Sequence, residues 1–257
     1  MDYETITLEE RDGVATLTLN RPDKMNAMNA QMRAEVQHAL KDAGTRARVI
    51  VLTGAGRAFC TGQDLGGASA SDLDLERILR DEYEPMLEAL AHCPVPTIAA
   101  VNGPAAGAGA NLALAADVVI AAENAYFLQA FSRIGLIPDA GGTYVMPRAM
   151  GMAKAMGAAL FADKISARQA DQWGLIWEAV PDDGFAEHVA GRAKHLAEGP
   201  TAAYNTIKRV IRASWDNTEE EQLAMEAREQ GACGKTRDFQ EGVMAFIEKR
   251  PAKFEGR

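Results

Sequence analysis

The chain has 257 residues, 47% of them apolar and 25% charged, which is the balance of a globular protein able to bury a full core and not of a disordered or fibrous one. Its 27 Lys and Arg stand against 36 Asp and Glu, a net charge of -9, and this excludes a broad electrostatic attraction to a nucleic-acid backbone or an anionic lipid surface. Three cysteines (Cys60, Cys93, Cys233) without CxxC spacing and four scattered histidines (His38, His92, His188, His195) argue against a disulfide framework and a structural metal.

The start, MDYETITLEERDGV, has no basic segment followed by an apolar one. The most apolar later stretch, LALAADVVIAA, is too short to span a bilayer and carries Asp117, so a cytoplasmic location is expected. Val14 to Leu19 alternates small or hydroxyl side chains with Leu and stops at Asn20-Arg21-Pro22, the pattern of a half-buried strand. From Asn29, apolar Met32, Val36, Leu40 and Ala43 recur at helical spacing and end at Gly44, a residue that usually stops a helix in the left-handed conformation. Val49-Ile50-Val51-Leu52 is a continuous apolar run closed by Gly54-Ala55-Gly56, which predicts a strand buried on both faces.

After the loop AFCTGQDL, Ile78 to Leu90 is apolar at helical spacing, and Pro85, having no N–H, should kink or split it. The pattern then repeats with a strand over Thr97 to Val101, the loop Asn102-Gly103-Pro104 and a helix of small residues around Gly107 to Ala116. Val118 to Ala122 predicts a third buried strand, and the loop from Gly135 to Thr143 opens another helix. Strand and helix alternate to about residue 190, and beyond Glu198 only helices are expected. This is an α/β core, residues 1–196, with a helical C-terminal region, residues 197–257.

Two strand-loop-helix units carry Gly-rich loops, Arg57 to Leu65 and Asn102 to Asp117, and each is expected to present N–H groups at or near a helix N-terminus. Such preorganised donors suit a phosphate or a thioester oxygen becoming an enolate. Small residues at 105–110 would admit a substrate to the backbone, or the small residues over 105–116 would do no more than pack a helix tightly. GAGANL lacks the third glycine of a dinucleotide fingerprint and no GK[ST] follows a Gly-rich loop, so nucleotide readings are weak.

The motifs NRPDKMNA, AFCTGQDL, AVNGPAAGAGANLALAAD, FSRIGLIPDAGGT and FIEKRPAKF, in this order, resemble the crotonase (enoyl-CoA hydratase/isomerase) superfamily over essentially the whole chain. The resemblance implies a spiral of repeated ββα units, C-terminal helices at a trimer interface, commonly in a dimer of trimers, and an acyl-CoA thioester as substrate, with no cofactor beyond the coenzyme A that the substrate carries. It implies an oxyanion hole made by the backbone N–H groups of Gln63 and Ala108. Thr61 and Asp64 fall where the family meets the adenine end of CoA, and Lys24 and a neighbouring subunit's Lys249 fall where it meets the CoA phosphates.

The departures from the hydratase pattern are as informative. Where hydratases place their two water-activating glutamates, this chain has Asn111 and Phe131, neither of which transfers protons under ordinary conditions. In exchange the PGAGGT loop reads Pro138-Asp139-Ala140-Gly141-Gly142-Thr143. Asp139 is then either a helix cap or a single acid/base, with Asn111 a second candidate catalytic position. FSRIGLIPDAGGT, the Pro-Arg-Ala-Met-Gly segment, QWGLIWEAV and EGVMAFIEKR most resemble the branch that isomerises ring 1,2-epoxyphenylacetyl-CoA in aerobic phenylacetate degradation, a branch that also looks able to shift a 3-enoyl-CoA double bond. The alternatives are a generic enoyl-CoA isomerase or hydratase of fatty-acid oxidation, an aromatic dehalogenase with Asp139 as nucleophile, and a non-catalytic CoA-binding subunit.

Overall fold

The computed structural model describes residues 2–66 and 73–257. Its larger sheet has six strands in the order β1 (Ile6–Arg11), β2 (Val14–Leu19), β3 (Val49–Gly54), β4 (Thr97–Val101), β6 (Val118–Ala122) and β9 (Glu178–Val180). A smaller sheet joins β5 (Ala105–Ala106), β7 (Tyr126–Leu128) and β8 (Ile165–Ser166). From β2 to β9 the neighbours in the larger sheet are parallel, as the continuous apolar runs require of strands covered on both faces. Val49, Val51, Ile98 and Ile120 pack on one face against Val189, Ala193 and Ala197 of α7 (Phe185–Ala197). Ile50, Leu52 and Ala99 enter the main core with Met32, Val36 and Leu40 of α1 (Ala30–Ala43).

Each turn of the chain adds a strand to the larger sheet, then an extended piece to a second layer, then a helix. The second-layer pieces are Met28, bridged in parallel to Gln63; Cys60, bridged in parallel to Ala105; and β5, parallel to β7. The helices that follow are α1, then α2 (Leu75–Ile78) with α3 (Glu84–Ala91), α4 (Ala108–Leu114), and α5 (Gly142–Phe161). The expected spiral of ββα units is therefore present.

Expected β2, β3, β4 and β6 are all found. β1 was not expected, although Asp12-Gly13 between it and β2, at φ +51° and +79°, is the left-handed pair that closes a tight hairpin. The pairs in the smaller sheet are too short to show a period. Asn29 caps α1 by accepting the N–H of Met32 at 2.9 Å. The helix does end at Gly44, but with right-handed dihedrals: Gly44 is needed because a Cβ there would lie 2.9 Å from Leu40 O and 3.1 Å from Pro94 Cδ. Pro85 splits its segment as expected. A π-helical turn, Leu79–Tyr83, joins α2 to α3, with the N–H of Glu84 reaching back to Leu79 O.

After α7 the chain is helical: α8 (Thr201–Ala213), α9 (Glu219–Cys233) and α10 (Arg237–Glu248). α8 is pinned to the end of the larger sheet by the buried Lys208, whose Nζ meets Asp117 at 2.6 Å and donates to Cys93 O at 2.8 Å and Val95 O at 3.0 Å. Arg212 reaches the other oxygen of Asp117 at 2.9 Å, and Thr97 donates to Asp117 from both N–H and hydroxyl. Among the described residues no helix is long and apolar enough to cross a membrane.

Lys208→Met leaves Cys93 O and Val95 O without their donor while Asp117 keeps Arg212 and Thr97, so it is expected to lower stability by about 1–3 kcal/mol. Adding Asp117→Asn should cost less than the sum of the two single changes. Urea unfolding of the two single variants and the double variant checks this.

Candidate active site

Three glycines decide how closely successive turns approach. A Cβ on Gly109 would overlap the carbonyl oxygen of Cys60. One on Gly62, at φ +93°, would lie 2.9 Å from Ala106 O and 3.3 Å from Ala108 N, and one on Gly142 would overlap the Asn111 amide. Absence of a side chain at these points lets the 60–64 loop lie against the start of α4, and α4 against the start of α5.

The juxtaposed elements bring the segment that carries Gln63 against the start of α4, where a Cβ on Gly62 would stand 3.3 Å from Ala108 N. Ala108 is the first residue of α4, where backbone donors have no intrahelical acceptor. The Gln63 backbone is held as an extended piece: Met28 N–H donates to Gly62 O at 2.7 Å and Asp64 N–H to Met28 O at 3.0 Å, while residues 67–72, where a helix following this loop would begin, lie outside the described residues. Strand-type pairing on either side therefore fixes the Gln63 peptide.

Asp139 lies beside these elements. Its carbonyl oxygen accepts from Asn111 Nδ2 at 2.8 Å and from Gly142 N–H at 2.9 Å, so α4 holds the loop that carries it. Asn111 also exchanges two hydrogen bonds with buried Gln129, at 2.8 and 3.3 Å. With those amides engaged, Asp139 Oδ1 is buried without a partner among the described residues. Burial pushes the carboxyl up to about 6, opposed only by a bond from its own backbone N–H. The cap reading of Asp139 is not what the geometry shows: α5 is entered through Gly141, with no side-chain cap bond. Phe131 is buried, with its Cζ 3.8 Å from where a Cβ on Gly107 would stand.

The remaining candidate residues divide. Thr61 directs its hydroxyl to Met25 O at 3.2 Å. Asp64 accepts from Gly66 N–H and pairs with Arg21 at 2.8 Å; the Gly66 bond first, then Arg21 and nearby Lys24, hold its carboxyl below the usual range despite partial burial. Lys24 is exposed on the same rim. Lys249 is exposed at the end of α10, its backbone N–H bonded to Phe246 O in its own helix. Among the described residues no cluster could hold a metal ion. The buried Cys60 thiol, pushed up to about 12 by desolvation, is no nucleophile at neutral pH.

Sequence reasoning missed Arg33, Tyr83 and Gln129, all buried. Arg33 sits between apolar residues of α1, Tyr83 on the π turn and Gln129 after β7, and no periodicity marks them as polar partners of a site.

The chain belongs to the enoyl-CoA hydratase/isomerase family, whose model matches residues 9–257. It is 60% identical, over the full length of both proteins, to a Rhodobacter capsulatus protein named a probable enoyl-CoA hydratase. It is 45% identical, over 99% of both, to the 1,2-epoxyphenylacetyl-CoA isomerase of Escherichia coli. A crystal structure of enoyl-CoA hydratase subunit I from Geobacillus kaustophilus matches with a TM-score of 0.93 at 32% identity, over 100% of both chains.

Because the folded-state value of Asp139 lies above that of a free carboxyl, folding is favoured by this group at low pH, and the benefit fades as pH rises through about 6. Asp139→Asn removes the desolvated charge. Its melting temperature should exceed the parent's by about 2–4 °C at pH 7, with the gain vanishing towards pH 4. Parallel thermal melts at the two pH values check the sign.

Proposed function

We propose that this enzyme is an acyl-CoA isomerase that forms a thioester enolate with Asp139 as its single acid/base, acting on 1,2-epoxyphenylacetyl-CoA and on 3-enoyl-CoA. The observation that carries the proposal is the buried, unpartnered carboxylate oxygen of Asp139 on a loop anchored to the helix that begins with Ala108. A bare carboxyl with a value near 6 can both take and return a proton near neutral pH. Asp139 removes the proton from C2 of a 3-enoyl thioester, and the electrons of that C–H bond pass to the thioester oxygen. The N–H groups of Gln63 and Ala108 hold the resulting oxyanion. Protonated Asp139 then delivers its proton to C4, which leaves the double bond between C2 and C3. The 45% identity to an isomerase of that name supports the ring-epoxide substrate.

In this reading Asn111 is a positioning residue, since its amide is spent on Asp139 O and Gln129. Thr61, Asp64 and Lys24 form the rim that receives CoA. Hydration is the competing activity, carried by the name of the 60% identical relative. It needs two groups to orient and activate water, and Asn111 and Phe131 supply none.

Assembly belongs to the same proposal. α8, α9 and α10 line a cavity of about 1060 Å³ with Ile207, Ile211, Leu223, Val243 and Phe246. Phe246 is 85% exposed in the single chain, and Met225 on α9 is half-buried. Such an apolar face fits burial between copies of the chain as a trimer or a dimer of trimers, which would bring Lys249 to a neighbour's site.

Asp139→Asn should lower turnover of 3-hexenoyl-CoA by roughly 100- to 10,000-fold with little change in affinity for CoA esters. Parental protein should hydrate crotonyl-CoA below the range of about 1 to 1000 per second usual for enzymes. Parental turnover in the Asn variant would remove Asp139 from the chemistry, and a hydratase rate within that range would replace isomerisation with hydration. Sedimentation at micromolar concentration should show trimers or larger; a monomer would reject assembly and the role of Lys249.

A further inference from the structure

Gln63 is held through its side chain as well as its backbone. Arg33, deeply buried on α1, donates from Nη1 to Gln63 Oε1 at 2.9 Å and to Met28 O at 2.9 Å. Since a guanidinium can only donate, the atom facing it is the amide oxygen, and Tyr83, 2.7 Å from that same oxygen, must donate its hydroxyl proton there. The Arg33 guanidinium lies 4.7 Å from the centre of the Tyr83 ring, and its other edge is paired with Glu82. Two donors therefore converge on one oxygen of the residue whose N–H lines the proposed oxyanion hole.

The chain is shaped to bring this about. Glu82 and Tyr83 are consecutive residues of the π turn ahead of Pro85, and that wide turn carries the ring into the core while Glu82 meets Arg33. Wide turns of this kind cost hydrogen-bond geometry and recur at functional sites. Burial above all holds the Tyr83 phenol protonated, with Arg33 opposing and Asp139 among the smaller contributions that add to it, so the tyrosine belongs to the same neighbourhood as the acid/base.

We infer that Tyr83 and Arg33 are positioning residues for the isomerisation: acting through the Gln63 side-chain oxygen, they fix the peptide whose N–H stabilises the enolate. The inference rests on the enolate chemistry proposed above. Main-chain pairing with Met28 sets the plane of the 62–64 segment, and the side-chain clamp removes the remaining rotation about it. Neither residue need touch the substrate.

Tyr83→Phe is a mild test, because the ring and its stacking on Arg33 persist and Gln63 Oε1 keeps the Arg33 bond. Enolate formation is read directly as solvent-deuterium exchange at the α-carbon of phenylacetyl-CoA, beside turnover of 3-hexenoyl-CoA. Tyr83→Phe should lower both rates roughly 10- to 100-fold with KM changed less than about threefold, the pattern of misplaced catalytic groups. In a Gln63→Met background, where the acceptor is gone, Tyr83→Phe should have no further effect. Melting temperatures of all variants separate loss of fold from loss of rate, and Glu82→Gln, which loosens Arg33 from outside the core, should give a smaller loss of the same kind. Undiminished rates in Tyr83→Phe would overturn the inference and leave the enolate chemistry standing. Full additivity with Gln63→Met would overturn it by giving the phenol a direct role on the substrate. Parental protein that neither exchanges the α-proton nor isomerises 3-hexenoyl-CoA would remove the enolate chemistry and the inference with it.

Discussion

The site depends on a steric constraint: backbone from one turn of the spiral must touch backbone from the next. Gly62 against Ala106 and Ala108 and Gly109 against Cys60 are such backbone contacts, and Gly142 against the Asn111 side-chain amide is a further point where a single Cβ would hold the layers apart. Parallel ββα turns stack their second-layer pieces in sequence order, so residues far apart in the chain meet at one edge. Oxyanion donors made of peptide N–H groups require this kind of contact, because a main-chain amide cannot extend towards a substrate as a side chain can.

Much of this was legible in the sequence, and the parts that were not have a common cause. Continuous apolar runs gave β3, β4 and β6 their boundaries, and Pro85 marked the break in the second helical segment. The Gly-rich loops stood out as strand-to-helix junctions, and Asp139 stood out through the resemblance, as a carboxylate gained where two glutamates are lost. β1 escaped because consecutive Glu9, Glu10 and Arg11 put charge on both faces of an edge strand, although the Asp12-Gly13 turn announced it. Arg33 and Gln129 escaped because each stands between apolar neighbours in sequence, Tyr83 because it stands in a charged stretch that reads as a solvated face, and all three find their polar partners only after folding.

One expectation about the site was corrected by geometry. Asp139 does not cap a helix: α5 is entered through Gly141, and Asp139 Oδ1 is buried without a partner among the described residues. Gln63 is held by strand-type pairing with Met28, which makes its orientation a matter of sheet register. Asn111 shows how a position can keep its place in the site with a different task. An amide there cannot move protons, and it ties the Asp139 loop to α4.

The π turn ahead of Pro85 has a consequence for how such a chain varies through its lineage. A wide turn amounts to one extra residue inserted in an α-helix, and removal of a single codon from Leu79–Tyr83 would restore ordinary winding. Each residue of an α-helix advances the face by about 100°. That deletion would carry the phenol of Tyr83 away from the oxygen it now reaches, with every side chain of α1 and the 60–64 loop unchanged. Helical register within one short stretch, with no change in the chemistry of any residue of the 60–64 loop, decides whether the phenol meets that oxygen.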